Sequence, residues 1–351
     1  MKKLFLFLII LCVLITFIDT SVLAKNISIT AVGDIMMGSL TPRKVLPNEM
    51  HLNQARKMQK YLSGADIVFG NLEGVFVESE TPPKKCSEAS RNAKKCFEFG
   101  MPIPLADILV DMGFTVLNID NNHTADYGEE GYLLTQDILT EKDIYAVPKG
   151  GNVIIRVQKN RIAIVAFGFT KNSYLVSNIK HTQRIISNLS KRYPIVIVSF
   201  HGGKEGKDAQ HVKDEIEMFY GENRGNLIAF SHAAVDAGAD LIIGHGPHVL
   251  RALECYKNRL IVYSLGNFYT FGQFRLSGPA GIGAILNITI SDQNGQFVQA
   301  KIIPTVQVMA GVPAYDRKHA AIQIFKDLTS EDFPQTPLQI ADDGTIYLKK
   351  K

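Results

Sequence analysis

The chain has 351 residues, of which 46% are hydrophobic and 21% charged, and this ordinary globular composition excludes a disordered chain, a collagen-like fibre and a coiled coil. The 38 Lys and Arg residues exceed the 34 Asp and Glu residues by only four, so the net charge of +4 does not indicate a nucleic-acid-binding protein. At roughly 100–200 residues per domain, the length allows one large domain or two ordinary ones.

The first 24 residues have the pattern of a secretory signal peptide. Lys2 and Lys3 precede an apolar run over residues 4–18, and the cleavage-site sequence Val22-Leu23-Ala24 follows. We therefore predict cleavage after Ala24 and a mature protein that is secreted, periplasmic or associated with the cell envelope. The alternative is an uncleaved membrane anchor, and only then would the protein contact a membrane. No second apolar run is long enough to span a bilayer.

Three cysteines follow the predicted cleavage site. Cys86 and Cys96 flank a short polar segment, and an oxidising compartment favours their pairing in a disulfide, whereas Cys255 is expected to be a buried thiol. A pair of metal thiolates is the alternative for the first two, although no other Cys or His lies near them in sequence. The basic residues of this segment either contact a polyanion or form a solvated loop, which is the commoner role of a charge run. They are Lys84, Lys85, Arg91, Lys94 and Lys95.

In chain order, short β-branched and aromatic runs alternate with segments of helical periodicity. The predicted strands are residues 27–32, 66–69, 115–118, 153–157, 162–167, 195–200, 241–243, 260–264, 283–289, 297–303 and 345–348. The predicted helices are residues 53–62, 104–112, 128–141, 182–191 and 227–237. This alternation indicates βαβ units. Because no linker interrupts it, we predict one α/β domain over residues 25–310, with a Pro-interrupted C-terminal extension, residues 311–351, packed on it.

Potential metal ligands follow five of the predicted strands. They include Asp34, Glu73, the pair Asn122-His123, His201, and the pair His245 and His248. In open α/β sheets, functional sites form beyond the carboxyl ends of the strands. Carboxylate, amide and imidazole donors suit Zn, Mn or Fe(II), and the absence of thiolates argues against a structural zinc site. The pattern therefore predicts one or two divalent metal ions that activate water for attack on an ester.

Six segments in this order resemble the CapA family of capsule-synthesis proteins, which is associated with poly-γ-glutamate and related to the calcineurin-like metallophosphoesterases. The segments are AVGDIMMG (31–38), GNLEG (70–74), NNHTADYG (121–128), SFHGGKE (199–205), GADLIIGHGPHV (238–249) and VYSLGNF (262–268). The resemblance implies a four-layer metallophosphoesterase-like sandwich, in which two mixed β-sheets pack face to face and helices flank them.

The resemblance also implies a set of metal ligands. Carried over one by one, they are Asp34, Glu73, Asn122, His201, His245 and His248. Glu73 is expected to bridge two metals. Asn122, His201 and His245 would complete one metal, and Asp34 and His248 would hold the other.

Two further residues are expected to be catalytic. By the resemblance, His123 faces the substrate and either protonates a leaving group or stabilises developing charge. Asp126 either orients His123 or caps the predicted helix that begins at Gly128. Glu205 is either a partner that supports His201 or simply exposed.

The sequence departs from the broader superfamily at three positions. Met36 stands where the first motif has a histidine, Glu73 replaces a bridging Asp, and the last histidine pair is His245-x-x-His248. The first two departures are features of the capsule branch. They leave the Asp34 and His248 metal one ligand short, and water or Asn267 could fill the gap.

These features predict a secreted, metal-dependent hydrolase that acts on poly-γ-glutamate or a related anionic envelope polymer. The expected partners are this polymer or its synthase complex, with no nucleic acid. Two alternatives remain: a non-catalytic envelope protein that binds or tethers the polymer, and a general extracytoplasmic phosphoesterase without a capsule role.

Overall fold

The computed structural model describes residues 26–93 and 96–349, so the predicted signal segment, Lys94 and Lys95 lie outside the described residues. The strands are β1 (Ile27–Met36), β2 (Ile67–Leu72), β3 (Val75–Val77), β4 (Gly100–Pro102), β5 (Val116–Asn118), β6 (Tyr145–Val147), β7 (Asn152–Val157), β8 (Asn160–Phe167), β9 (Ile195–His201), β10 (Met218–Phe219), β11 (Glu222–Asn223), β12 (Leu241–His245), β13 (Leu253–Tyr256), β14 (Arg259–Val262), β15 (Asn267–Thr270), β16 (Ile282–Ile290), β17 (Phe297–Val308), β18 (Val312–Tyr315), β19 (Leu338–Ile340) and β20 (Thr345–Leu348). The helices are α1 (Glu49–Arg56), α2 (Gln59–Leu62), α3 (Glu88–Asn92), α4 (Ala106–Met112), α5 (Gly128–Glu141), α6 (Ile179–Ser190), α7 (Leu227–Asp236) and α8 (Ala320–Asp332).

Ten strands form the larger sheet, with the order β19-β20-β17-β16-β1-β2-β5-β6, and β15 and β18 pair beside β1 and β17. Strand β1 pairs in parallel with β2 and antiparallel with β16, and its side chains are buried over nearly its whole length because both faces of the sheet are covered there. Parallel pairing continues from β2 to β5 and β6. The carboxyl ends of β1, β2 and β5 therefore lie at one edge of this sheet.

Six strands form the second sheet, with the order β13-β14-β12-β9-β8-β7. Its four inner strands are parallel, and β7 and β13 are antiparallel edges. All seven residues of β9 are buried. This agrees with its continuous apolar run, which is typical of a strand that is covered on both faces.

Apolar side chains between the two sheets form the central core, for example Ile29 of β1, Ile67 of β2, Ile197 of β9 and Ile243 of β12. A second core lies between the outer face of the larger sheet and α1, α2, α4 and α5. A third lies between the outer face of the smaller sheet and α6 and α7. The predicted α/β fold of four layers, two mixed sheets flanked by helices, is confirmed.

The predicted elements differ from the structure most clearly at two places. The predicted helix 53–62 is divided into α1 and α2. The C-terminal extension contains α8, which the sequence reading missed because this helix lies between Pro313 and Pro334 in a segment read as Pro-interrupted. Ala321 and Phe325 of α8 join the central core, and β18 and β20 pair with β17. The extension therefore continues the larger sheet, whereas the boundary at residue 310 stays a prediction.

Among the described residues, no helix combines the length and the apolar character that crossing a membrane requires.

Candidate metal centre

Strand register places the predicted ligands at one rim of the two facing sheets. Asp34 of β1 lies opposite Asn71 of β2 on one side and opposite Asn267 of β15 on the other. In the second sheet, His201 at the end of β9 lies opposite His245 at the end of β12. All of these side chains are buried, so both sheets contribute polar groups to one enclosed cluster.

Glu73 lies at the centre of this cluster, directly after β2. Its Oε1 atom lies 3.5 Å from His248 Nε2, 3.8 Å from His201 Nε2 and 4.0 Å from His123 Nε2. Asp34 Oδ2 lies 3.0 Å from His248 Nδ1. One ligand atom from each of Asp34, Glu73 and His248 falls within 4.8 Å of the others. Glu73 therefore touches both sets of predicted ligands, as a bridging carboxylate must.

The turn after β12 brings His248 back over Asp34. Gly246 has φ of 116°, and a Cβ atom there would lie 2.8 Å from the carbonyl oxygen of Gly202, so both the conformation and the space require glycine. His248 itself has φ of 58°, in the left-handed region that non-glycine residues enter only at a cost. The backbone at His248 is thus strained, and this conformation holds the imidazole between the carboxyl groups of Asp34 and Glu73.

His245 and Asn122 complete the predicted ligand set. His245 Nε2 lies 3.1 Å from the carbonyl oxygen of Val32, which can only accept, so Nε2–H donates and Nδ1 keeps its lone pair. Asn122 lines the cleft beside His123. Its backbone carbonyl oxygen accepts a hydrogen bond from Lys85 Nζ at 3.0 Å, whereas its side-chain Oδ1 has no hydrogen-bond partner and is free to face the site.

A divalent cation fits this donor set. Within the described part of the chain, the buried side-chain atoms that lack a hydrogen-bond partner include one atom or both from five of the six predicted ligands. These atoms are Asp34 Oδ2, Glu73 Oε1 and Oε2, Asn122 Oδ1, His201 Nε2, and His245 Nδ1, with His248 paired to the carboxylates instead. Because buried polar groups are almost always hydrogen-bonded, so many unpartnered oxygen and nitrogen atoms in one place suit the binding of a cation.

The pKa values follow from burial and from this concentration of charge. Burial raises the pKa of Glu73 well above its usual value. Burial alone would lower the pKa of His248, but the charges of Glu73 and Asp34 outweigh it and raise the pKa to about 10. Burial lowers the pKa of His201 and of His245. Without a metal ion, a protonated His248 thus supplies positive charge beside Asp34, whereas burial disfavours the negative charge of Glu73.

His123 lies at the edge of the cluster and is paired with Asp126. The two atoms His123 Nδ1 and Asp126 Oδ2 are 2.6 Å apart. Of the two roles considered for Asp126, the structure shows the contact with His123, because α5 begins after Tyr127 without a side-chain cap. Because Asp126 is hydrogen-bonded to Nδ1, the other ring nitrogen, Nε2, is the one that faces Glu73.

Sequence reasoning missed the residue that joins the two halves of the centre. Asn71 Nδ2 lies 2.8 Å from Asp34 Oδ1 and 3.2 Å from His201 Nδ1. Its position two residues before Glu73 was the available signal, because residues at this spacing share one face of a strand. Glu205, for which the sequence left support of His201 and simple exposure both open, pairs with Arg224 at 2.9 Å and lines the cleft. Asn267 contacts the Nδ1 atom of His248 at 3.1 Å and so positions this ring.

The centre opens into a cleft of about 1030 Å³. Five cations line it. Arg224 pairs with Glu205 and Glu222, whereas Lys149, Lys171 and Arg275 form no ion pair within the described residues. Lys85 also lines the cleft, but it lies 3.1 Å from Asp126 Oδ1, and so it is more than the solvated lysine that the charge run suggested. The predicted disulfide between Cys86 and Cys96 is present.

Residues 28–271 match the family model described as bacterial capsule synthesis protein PGA_cap. The chain belongs to the PGA_cap family. The capsule biosynthesis protein CapA of Bacillus anthracis is 31% identical over 256 residues, which cover 70% of this chain and 60% of that protein. The PGA biosynthesis protein CapA of Bacillus subtilis is 30% identical over 260 residues, which cover 69% and 63%. The chain thus matches less than two thirds of the length of these relatives.

Among solved structures, a putative 5'-nucleotidase from Staphylococcus aureus matches with a TM-score of 0.47 and 13% identity over 87% of this chain and 58% of that chain. A purple acid phosphatase from yellow lupin matches with a TM-score of 0.40 and 10% identity over 85% and 55%. Likeness at this level carries no argument about activity, which has to come from the residues of the PGA_cap chain itself.

Proposed function

We propose that this chain is a metal-dependent hydrolase that acts outside the cytoplasm on an anionic cell-envelope polymer of the poly-γ-glutamate type, during its synthesis or export. The observation that carries the proposal is the convergence of buried, unpartnered oxygen and nitrogen atoms on Glu73 from both sheets. Such a set is costly to bury unless a cation binds it.

The residues that would hold one or two ions of Mn, Zn or Fe are Asp34, Glu73, Asn122, His201, His245 and His248. A divalent cation at this position supplies the charge that polarises an ester or amide oxygen and makes water a better nucleophile. Glu73 lies within 4.0 Å of histidines from both sets, which supports its assignment as the shared ligand.

The chain's own contribution to proton transfer is assigned to His123. Asp126 holds the ring through Nδ1 at 2.6 Å, so Nε2 is the atom that exchanges a proton with the substrate. His123 lines the cleft and is buried except for 7% of its surface. A leaving group in the cleft can therefore reach Nε2, while bulk water largely cannot.

Three observations support an anionic polymer and an extracytoplasmic location. Lys149, Lys171 and Arg275 present unpaired positive charge along the cleft, which suits a substrate that carries repeated carboxylates or phosphates. The disulfide between Cys86 and Cys96 is typical of an oxidising compartment. The signal-peptide pattern of residues 1–24 agrees with that location.

The test is hydrolysis by purified residues 25–351, supplied with Mn or Zn, of a model phosphodiester and of a γ-glutamyl peptide. We expect metal-dependent turnover of one of them, and His201→Ala should abolish it. His232→Ala is the matched control, because this histidine contacts Glu254 on another part of the molecule. No turnover of either substrate, or turnover that survives His201→Ala, would exclude the hydrolase.

The same cleft cations favour a second candidate, a protein that binds the polymer without cleaving it. In that case, binding of poly-γ-glutamate should be unaffected by a chelator and by Asp34→Ala. Loss of binding under either condition would favour the enzyme.

A further inference from the structure

The segment around the disulfide, here called the cysteine loop (residues 84–93 and 96–99), is tied together by one buried carboxylate. Glu98 Oε1 accepts hydrogen bonds from the backbone N–H groups of Lys85 and Cys86 at 2.9 and 2.8 Å. Glu98 Oε2 accepts from Arg91 Nε at 2.9 Å. With the disulfide, these bonds hold the two ends of the cysteine loop side by side.

Both ends of the cysteine loop contact Asp126. From the first end, the backbone N–H of Lys84 donates to the carbonyl oxygen of Asp126 at 2.8 Å, and Lys85 Nζ lies 3.1 Å from Asp126 Oδ1. From the second end, the backbone N–H of Phe99 donates to Asp126 Oδ2 at 2.7 Å. The position of this carboxylate is therefore set by the cysteine loop.

The cysteine loop also contacts His123. The ring of Phe99 stacks on the imidazole, with centroids 4.1 Å apart and an interplanar angle of 27°. Asp126 Oδ2 accepts from Phe99 and contacts His123 Nδ1 as well. Two sides of the His123 ring are thus fixed by groups that belong to the cysteine loop or are held by it.

We propose that Lys85 and the Cys86–Cys96 disulfide are positioning elements, which hold Asp126 and through it orient His123 towards the cleft. The inference rests on the proposed function for the proton transfer that His123 performs, but the positioning itself is a property of this chain. It makes the orientation of His123 dependent on the oxidation state of the disulfide.

The physical reason lies in the cost of a buried carboxylate. The side chain of Asp126 is fully buried, and Lys85, whose side chain is 34% exposed, is the cation that neutralises it. Cys86 follows Lys85 directly, and its bond to Cys96 closes a loop with a sequence separation of 10. Opening that bond returns conformational freedom to the loop and lets Lys85 move into water.

The orientation of His123 can be measured without any activity, through its reaction with diethyl pyrocarbonate followed by mass spectrometry of the peptide. We expect Lys85→Met and the double variant Cys86→Ser/Cys96→Ser to raise the modification rate of His123 severalfold relative to the surface residue His211, at equal metal content. Lys84→Met is the matched control, because Lys84 makes an exposed ion pair with Glu130 at 2.6 Å, and this variant should leave the rate unchanged. Equal rates in all variants would overturn the proposal.

A second measurement separates positioning from a general structural effect. On a substrate with a poor leaving group, Lys85→Met should lower kcat by about tenfold or more, whereas a nitrophenyl ester, which needs no proton, should be turned over at nearly the wild-type rate with similar KM. Lys85→Arg should recover most of the loss. An equal loss on both substrates would refute the positioning role. If the wild-type protein hydrolyses nothing, the proposed function fails, and the modification assay still decides whether the cysteine loop holds His123.

Discussion

The most informative single substitution is Glu73→Gln, because it should shift stability in opposite directions with and without metal. Both carboxylate oxygens of Glu73 are buried without a hydrogen-bond partner, and burial raises its pKa although His248 lies 3.5 Å away. The folded, metal-free protein therefore disfavours the negative charge of Glu73. Gln removes the charge at nearly constant shape, and the metal-free variant should be more stable by about 1–3 kcal/mol, because a buried charge without hydrogen-bond partners costs more than a neutral amide.

When metal is bound, the wild-type protein should be more stable than Glu73→Gln. A ligand that binds only the folded state at ~100 times its Kd stabilises the wild-type protein by about 2.7 kcal/mol. The variant loses the anionic ligand shared by both predicted ion positions, so it should gain little. The assay is thermal unfolding of residues 25–351 after treatment with a chelator and again with added Mn.

The matched control is Glu254→Gln, at a buried glutamate whose oxygens contact His232 and Tyr263. This variant should be destabilised in both conditions and keep the full response to metal. If Glu73→Gln behaves in the same way, or if Mn raises its midpoint as much as that of the wild type, then Glu73 is an ordinary buried residue and the metal centre is wrong.

Three further predictions concern other parts of the molecule. Burial raises the pKa of the Cys255 thiol to about 11, so it should react with Ellman's reagent only after denaturation, and reaction in the native protein would contradict its burial. Burial raises the pKa of Asp240 from 3.8 to about 6, so between these pH values the folded state binds a proton that the unfolded state has lost. The free energy of unfolding should therefore fall as pH rises through this window, by at most about 3 kcal/mol. The unfolding midpoints of Asp240→Asn should lack this dependence on pH. Replacing both Lys149 and Lys171 by Ala should weaken binding of poly-γ-glutamate severalfold at low salt and less at high salt, and a loss independent of salt would speak against charge recognition.

The fold could be predicted well where local pattern and tertiary environment agree. The continuous apolar run of β9 indicated a strand that is buried on both faces, and α5 was predicted with the bounds that the structure shows. Helix α8 was missed although its buried residues Ala321, Ile322, Phe325 and Leu328 recur at helical spacing. The prolines that suggested an interrupted segment, Pro313 and Pro334, lie outside the helix.

The candidate site could be predicted as a set of residues but not as a network. Strand ends and glycines located Asp34, Glu73, His201 and His245, because these features are local in sequence. The roles of Asn71 and Lys85 depend on contacts between segments that are 130 and 41 residues apart, His201 with Asn71 and Asp126 with Lys85, and no spacing rule specifies such contacts.

The departures from the broader superfamily together favour unequal metal positions. Met36 is fully buried and offers neither an oxygen nor a nitrogen ligand, while Asn71 already donates to Asp34 Oδ1. The other oxygen of Asp34 faces His248, whose pKa is raised to about 10, so a cation at this position must displace a proton at neutral pH. The imidazoles of the other position, His201 and His245, carry no competing proton, because burial lowers the pKa of both rings. A proton on Glu73 would compete at both positions alike, because this carboxylate is shared. We therefore expect metal titration at neutral pH to show one tightly bound ion per chain and a second ion that binds more weakly. The affinity for the second ion should increase as pH rises. Two equal sites whose affinity is independent of pH would contradict the assignment of a protonated His248.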